Sequence, residues 1–359
     1  MPEHEGARWA ALRVLSFRAH LHPWNHLTSK EESMRNKTFS LLLLTAALAL
    51  PAEAKVTRYL TGNAADVVVP LAGPAHDLGG GGTDVDAAIQ WMIDKVRGCT
   101  SCSTKVDVVV LRSSGSNGYN DYIYAMNGVD SVETLVVTAA KDSNTAAVET
   151  TVKNAEVVFF AGGDQCDYVR NFKGTKVETA VESVYAKGGG VGGTSAGLAI
   201  LGDFTYDACG GSVTSAQALA NPYHRAATFT YDFFKWANLG ATVTDSHFVA
   251  RDRMGRTMAF VARQIQDGKA ASALGVALDE ATSVVVDRFG LATVMGAGPA
   301  YFVLGDHAPE TCRAGTPLTF SNFKIWKVAA GGTFDLANRP SAGFYLRSVT
   351  NGVVSSNPY

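Results

Sequence analysis

The stretch Gly188-Gly-Gly-Val-Gly-Gly-Thr-Ser-Ala-Gly-Leu-Ala-Ile200 decides the fold. Inside it, Gly193-Thr-Ser-Ala-Gly197 has the Gly-x-Ser-x-Gly spacing of a nucleophile elbow. In such an elbow a serine sits on a sharp turn from strand to helix, in strained backbone, with its hydroxyl pushed out at the sheet edge. Small residues on either side let neighbouring backbone approach without a clash. The apolar Ala196-Gly-Leu-Ala-Ile-Leu201 that follows suits the first turns of a buried helix. Free N–H groups at that helix start lie beside the serine, where they can stabilise an oxyanion. The plainer alternative is a glycine-rich turn that binds nothing.

Outward from this segment, short β-branched apolar runs alternate with helical patterns. Strands are predicted at 56–60, 106–111, 132–138, 155–161, 189–193, 241–245, 275–278, 282–286 and 292–295. Several are near-continuous Val, Leu or Phe, as in parallel strands buried on both faces. Helices are predicted at 84–96 after Thr83 as N-cap, at 145–153, at 176–187, and at 254–267 with Gly268 just past the end. The alternation implies a doubly wound, mostly parallel sheet between helix layers, a three-layer α/β/α sandwich. Ligands in such sheets bind beyond the carboxyl ends of the strands, and the elbow lies at that edge. Beyond about residue 300 the texture changes. Segments 316–328 and 343–353 alternate apolar and polar residues, with Gly331-Gly332 and Arg339-Pro340 as breaks. Residues 301–359 are therefore predicted to form a β-rich C-terminal appendage on the same domain as the 55–300 core.

The chain has 359 residues, 47% hydrophobic and 18% charged, enough for a large core in one large domain or two small ones. A net charge of -2 gives no sign of a nucleic-acid partner. The N-terminal region reads as a targeting segment. Met34-Arg-Asn-Lys37 is basic, Phe39-Ser-Leu-Leu-Leu-Leu-Thr-Ala-Ala-Leu-Ala-Leu50 is an apolar run of signal-peptide length, and Ala52-Glu-Ala54 is an Ala-x-Ala cleavage site. Residues 34–54 are predicted to be a signal peptide, Met34 the true start, and Lys55 the first residue of a secreted or periplasmic chain. Residues 1–33 show no sustained pattern and read as a leader or a mis-assigned gene start. A retained membrane anchor is the alternative, for which the run is short. Export permits disulfides among Cys99, Cys102, Cys166, Cys209 and Cys312. Cys99-Thr-Ser-Cys102 reads as a small bridge or two free thiols. A zinc site would need two further ligands, and no second pair stands at suitable spacing.

A serine hydroxyl is a weak nucleophile until a base takes its proton. Past residue 55 the histidines are His76, His224, His247 and His307. His247 has the best context. It follows a predicted strand directly, in Val243-Thr-Asp-Ser-His-Phe-Val-Ala-Arg-Asp-Arg-Met-Gly-Arg256, which places it at the edge that carries Ser195. His224 sits in a loop and reads as surface or substrate-side; His76 and His307 read as structural. A carboxylate that fixes the imidazole tautomer would complete the set. Asp279-Glu280 ends the strand predicted at 275–278, and either acid suits. A second motif, Val157-Val-Phe-Phe-Ala-Gly-Gly-Asp-Gln-Cys166, runs a buried strand into two glycines. N–H groups from Gly162 to Asp164 can then turn toward the elbow, and Gln165 can hold a substrate. The alternative is an ordinary strand-end turn.

Phe-Ala-Gly-Gly-Asp-Gln at 160–165, Gly-Gly-Thr-Ser-Ala-Gly at 192–197, Asp-x-His-Phe-x-x-Arg-x-Arg-x-x-Arg at 245–256 and Gly-Val-Ala-Leu-Asp-Glu-Ala-Thr at 275–282 occur in that order. Over about residues 157–286 these motifs resemble the cyanophycinase branch of the S51 serine peptidases, which also contains the aspartyl dipeptidases. The resemblance implies a sandwich of the class I glutamine amidotransferase-like type, with serine where that fold commonly uses cysteine. It implies Ser195 as nucleophile, His247 as general base and Glu280 as its orienting partner, with Asp279 the fallback. It implies an oxyanion hole from Gly163, Asp164 and Ala196, and a substrate pocket from Gln165, Asp245, Arg251, Arg253 and Arg256.

The implied reaction is hydrolysis of amide bonds after β-linked aspartyl residues. Cyanophycin is a poly-aspartate backbone with arginine on each β-carboxyl, and its cleavage yields β-Asp-Arg. Arg251 and Arg253 would take aspartyl carboxylates in bidentate fashion, and Asp245 a substrate arginine. No metal or organic cofactor is implied. The expected partner is a peptide or cyanophycin-like substrate, with no nucleic acid and no stable membrane insertion after signal cleavage; a homodimer stays open. The chain also departs from the family pattern. Ser246 and Ala250 stand where glutamine is usual, Leu198 replaces an alanine, and 204–240 is longer. These changes sit near the pocket. They leave open an exported peptidase for other acidic or isoaspartyl peptides, or a catalytically silent peptide-binding protein on the same fold. Export and the elbow serine argue against an amidotransferase-like partner subunit.

Overall fold

A computed structural model describes residues 56–359. The predicted signal peptide and the segment before it lie outside the described residues. The elbow strand, Gly190–Thr194, runs through a nine-stranded sheet. Across that sheet the order is Thr57–Gly62, Val129–Val136, Val106–Arg112, Val157–Phe160, Gly190–Thr194, Ala75–Gly79, Thr282–Val286, Leu291–Gly296 and Thr333–Asp335. From Val129–Val136 to Ala75–Gly79 every neighbouring pair is parallel. The strands outside that block pair antiparallel.

Side chains alternate across a strand, so each strand feeds two layers. Val106, Val108, Val110 and Phe159 pack with Met92, Ile93 and Val96 of the helix Asp86–Arg97. Val109, Leu111, Val158 and Phe160 pack with Val148 and Val152 of Ala146–Asn154 and with Val177 and Val181 of Lys176–Ala186. This is the expected α/β/α sandwich. Gly192 makes one close contact possible: a Cβ there would lie 2.9 Å from the carbonyl oxygen of Asp77 and 3.1 Å from Met92.

A second, six-stranded sheet carries Val353–Val354, Tyr345–Thr350, Phe320–Val328, Ala300–Gly305, Ala273–Leu278 and Thr242–Asp245 in that order. Its only parallel pair is the last. Leu274, Val276, Leu278 and Phe302 share one core with Val284, Val286, Ala292 and Val294 of the first sheet. Val243, Ala277, Tyr301 and Val303 pack instead with Met258 and Val261 of the helix Met254–Gln266.

The strands predicted at 241–245 and 275–278 therefore belong to this second sheet, not to the main one. An apolar run reads the same whichever sheet buries it. The C-terminal strands are likewise woven into both sheets: Phe320–Val328 extends the second, and Thr333–Asp335 edges the first.

The central strand Ala75–Gly79 has no counterpart among the predicted strands. Ala75–Gly79 lies between the elbow strand and Thr282–Val286, yet it carries His76 and Asp77. His76 is buried because its Nδ1 meets the Val191 carbonyl at 2.8 Å and its ring stacks on Tyr185. Burial holds its pKa down to about 4, so the ring is neutral at pH 7. Burial pushes the Asp77 carboxyl up to about 7. The helix predicted from Thr83 starts instead at Asp86, with Val85 at its N-cap. Thr145 does cap its helix, accepting from Val148 N–H at 3.4 Å.

The elbow's last glycine is held by packing. A Cβ on Gly197 would lie 2.1 Å from the Phe160 carbonyl oxygen, so the helix Ala196–Ala199 seats directly on the neighbouring strand. Gly197→Ala is expected to lower stability by about 3 kcal/mol through overpacking. Urea unfolding of the two proteins checks this; equal midpoints would contradict it.

Candidate active site

Ser195 ends the elbow strand with φ 56° and ψ -110°, a conformation that non-glycine residues seldom adopt. Its N–H is spent on the Gly79 carbonyl at 3.0 Å, which fixes the turn and leaves the side chain half-exposed at the rim. Its Oγ lies 2.8 Å from His247 Nε2. His247 follows the strand Thr242–Asp245 and also has positive φ, 46°. Its Nδ1 lies 2.6 Å from Glu280 Oε1. Glu280 sits in the short turn between Ala273–Leu278 and Thr282–Val286, that is, where the chain passes from the second sheet to the first. Asp279 does another job: its Oδ1 accepts the Ala250 N–H at 3.0 Å and holds the loop after His247. The two acids, equivalent in sequence, are thus separated by the fold.

A hydroxyl, an imidazole and a carboxylate joined in this way can move a proton off the hydroxyl and stabilise the imidazolium that results. Burial lowers the His247 pKa below its ordinary value. The Glu280 hydrogen bond opposes this, and Arg251 and Arg253 add to the lowering. The ring is therefore predominantly neutral, and able to accept a proton, at pH 7.

A glycine turn that sequence reasoning assigned to a helix start packs onto this chain of groups. His247 N–H donates to Gly80 O at 2.8 Å, Gly80 N–H to Thr282 O at 2.8 Å, and Ala281 N–H to Gly81 O at 2.9 Å. A Cβ on Gly81 would lie 2.5 Å from His247 Cε1, and one on Gly82 would lie 2.9 Å from Glu280 Cβ. The visible signal was the run Gly79–Gly82; nothing local to it shows that an imidazole from residue 247 fills the space.

Ser195 opens into a pocket of about 280 Å³. One wall is Gly163, Asp164 and Gln165, followed by the helix Gln165–Phe172, which Asp164 caps by accepting the Cys166 N–H at 2.8 Å. A Cβ on Gly162 would lie 3.6 Å from Ser195 Cβ, so this turn abuts the elbow as expected. Ala196 lines the floor. The rest of the lining brings Ser246, Arg251, Arg253 and Arg256 together with Tyr206, Ala208, Gly211 and Ser212. The last four come from the long 204–240 segment and were not singled out in the sequence.

Asp245 is placed differently from expectation. It is 2% exposed and does not line the pocket. Arg256 grips both its oxygens, through Nε at 2.8 Å and through Nη2, and Thr257 Oγ1 donates to it at 2.8 Å. A carboxylate so occupied has no oxygen free for a substrate guanidinium; it anchors Arg256 instead. Arg253 donates to the Ser246 carbonyl at 2.7 Å, and burial pushes its pKa down to about 10, so it stays charged at neutral pH. Arg251 is exposed.

The other histidines stand apart from this pocket: His224 Nδ1 accepts the Ala226 N–H, and His307 pairs with Asp306. Cys99 is bridged to Cys102, and Cys166 to Cys209. Among the described residues no group of three or more His, Cys, Asp or Glu is placed to hold a metal.

The α/β/α fold and this cluster are those of a peptidase-type hydrolase, and comparison with known proteins supports that class. No family model matches the chain. A cyanophycinase from Nostoc sp. is 27% identical over 226 residues, covering 60% of this chain and 69% of that protein. A cyanophycinase from Trichormus variabilis matches to the same extent. Over those 226 residues the chain is similar to the cyanophycinases. The crystal structure of a peptidase from an acI-B1 Actinobacterium superposes with a TM-score of 0.50 at 14% identity, covering 74% of this chain and 98% of that one. A putative peptidase E protein from Listeria monocytogenes EGD-e gives a TM-score of 0.41 at 15% identity, covering 63% and 100%.

Gly81→Ala is expected to drive a methyl group into the imidazole, displacing His247 from Ser195. Displacements of about 1 Å cost about 100-fold in rate. The measurement is the rate at which a fluorophosphonate labels Ser195; an unchanged rate would show that the imidazole does not depend on the glycine turn.

Proposed function

We propose that this chain is an exported serine peptidase of cyanophycinase type, hydrolysing amide bonds after β-linked aspartyl residues and releasing β-Asp-Arg from cyanophycin. The observation that carries the reading is the unbroken hydrogen-bond chain from Ser195 Oγ through His247 to Glu280, opening on a pocket lined by three arginines. In this reading Ser195 attacks the carbonyl carbon, and His247 Nε2 takes its proton and returns it to the leaving amine. Glu280 keeps the other ring nitrogen protonated and stabilises the imidazolium. The N–H groups of Ala196, Gly163 and Asp164 hold the oxyanion.

Arg251 and Arg253 meet the substrate carboxylates, where a guanidinium matches both oxygens. Arg256, whose charge is offset by Asp245, holds the shape of the pocket floor rather than binding substrate. Gln165 contributes an amide to orient the peptide. With Asp245 engaged, a substrate arginine side chain is left to solvent or to the Asp164 wall. That feature favours a second reading, a peptidase for other acidic or isoaspartyl peptides that lack arginine.

Export rests on the signal-like segment 34–54 and on two disulfides, which persist in oxidising compartments. Among the described residues no helix is long and apolar enough to cross a membrane.

Incubation of the chain from Lys55 onward with insoluble cyanophycin and with β-aspartyl dipeptides separates the two substrate readings. Ser195→Ala is expected to abolish hydrolysis while leaving the fold intact by circular dichroism. Full activity in that variant would sink the mechanism.

The pH profile gives an independent check. In the free enzyme kcat/KM requires neutral His247. Because its pKa is lowered, the acid limb should have its midpoint below about 6.5, the ordinary imidazole value. Glu280→Gln removes the interaction that raises this pKa, so the limb should move further toward acid. The plateau should fall by about 10⁴-fold, as the orienting carboxylate is lost. A limb that moves toward alkaline pH would contradict the assignment of Glu280.

A further inference from the structure

The pocket has an outer lip, residues 207–212, that follows the strand Phe204–Tyr206. Ala208, Gly211 and Ser212 of this lip line the pocket together with Gly163, Asp164 and Gln165, and the lip lies beside the Gln165 turn, with Cα atoms of Cys166 and Cys209 5.0 Å apart. The lip is shaped by its own hydrogen bonds. Tyr206 Oη donates to Gly211 O at 3.2 Å and accepts the Val213 N–H at 2.9 Å. Asp207 accepts from Cys209 N–H and from Thr230 Oγ1, each at 2.9 Å. These bonds give the loop a form, but they do not tie it to the Gln165 wall. Toward that wall there is a long contact, Gln165 Nε2 to Tyr206 O at 3.4 Å, and there is a covalent bond, the Cys166–Cys209 disulfide. Cys166 directly follows Gln165 and is buried; Cys209 directly follows Ala208 and is exposed.

The lip also touches the charge of the pocket. Arg256 Nη1 points to Ser212 Oγ of the lip at 3.5 Å and to Val213 O just after it at 3.4 Å, and its guanidinium lies over the ring of Tyr206, just before the lip, at 5.1 Å. Movement of the lip away from the Gln165 wall would widen the pocket and withdraw these partners from Arg256. The groups that activate Ser195 are elsewhere: His247, Glu280 and the Gly80–Gly82 turn make no bond to the lip among those described.

We propose that the Cys166–Cys209 disulfide is the positioning device that sets the width of the substrate pocket, governing how tightly an acidic substrate is held while leaving the reactivity of Ser195 alone. The proposal rests on the peptidase reading above. It concerns two cysteines that sequence reasoning had left without a role.

The test uses Cys209→Ala, which replaces an exposed side chain and leaves no cavity, and the double variant Cys166→Ala/Cys209→Ala, which also removes the freed thiol. Each is compared with the parent chain on a soluble β-Asp-Arg trimer and with a fluorophosphonate. In both variants KM should rise by about ten-fold, with kcat and the labelling rate within about three-fold of the parent. A merely structural bridge would lower kcat and labelling together. Unchanged KM, labelling that falls in step with kcat/KM, or loss of fold in both variants overturns the proposal while the peptidase reading stands. A parent chain that neither cleaves the trimer nor takes the label overturns both.

Discussion

The 2.8 Å hydrogen bond between Ser195 and His247 joins residues carried by different sheets. Ser195 ends a parallel strand of the first sheet, and His247 follows a strand of the second. Both stand at positive φ, 56° and 46°, and neither conformation would persist without support from its surroundings. The support is a short backbone network. Gly79 O takes the Ser195 N–H, Gly80 O takes the His247 N–H, and Gly81 O takes the Ala281 N–H beside Glu280. One glycine turn thus receives a bond from the neighbourhood of each functional side chain. The absence of Cβ atoms there is a steric requirement, since Gly81 and Gly82 occupy the space against the imidazole and the Glu280 side chain.

Beneath this rim, charge is organised by a second constraint. Asp245 and Arg256 are both nearly fully buried. Removing two charges from water is expensive, and their attraction offsets the cost only when the geometry is good and the remaining polar atoms are satisfied. Here both carboxylate oxygens are engaged by Arg256, and Thr257 adds a further donor. The pair locks the start of the helix Met254–Gln266 to the end of the strand Thr242–Asp245. It therefore fixes the loop between them, which carries His247, Arg251 and Arg253. The family resemblance implies Asp245 as a substrate ligand, because it falls on a pocket position of the shared motif. Its burial and its partners give it a different role.

Much of the core was legible, and for a uniform reason. Val157–Phe160 is continuously apolar, and Val106–Arg112 and Thr282–Val286 carry runs of valine and leucine, because both faces are covered. Ala75–Gly79 escaped because His76 and Asp77 interrupt its pattern, although stacking on Tyr185 and a bond to Val191 keep the imidazole buried and neutral. The lip escaped because its bond partner, Cys166, lies 43 residues away. The helix from Thr83 was read too early because a glycine run before a helix looks like a cap, whereas here it is the cradle of His247.

By itself the sequence determined the local chemistry: an elbow serine, a histidine and an acid each at the end of an extended segment, two glycine turns with exposed N–H groups, and a cluster of arginines. Those features depend on residue type and short spacing, which the chain carries wherever it folds. The tertiary structure alone decided which acid faces the imidazole, that two sheets rather than one bring the groups together, and that Asp245 is spent internally. Such choices arise from contacts between segments tens of residues apart, whose packing no local pattern encodes.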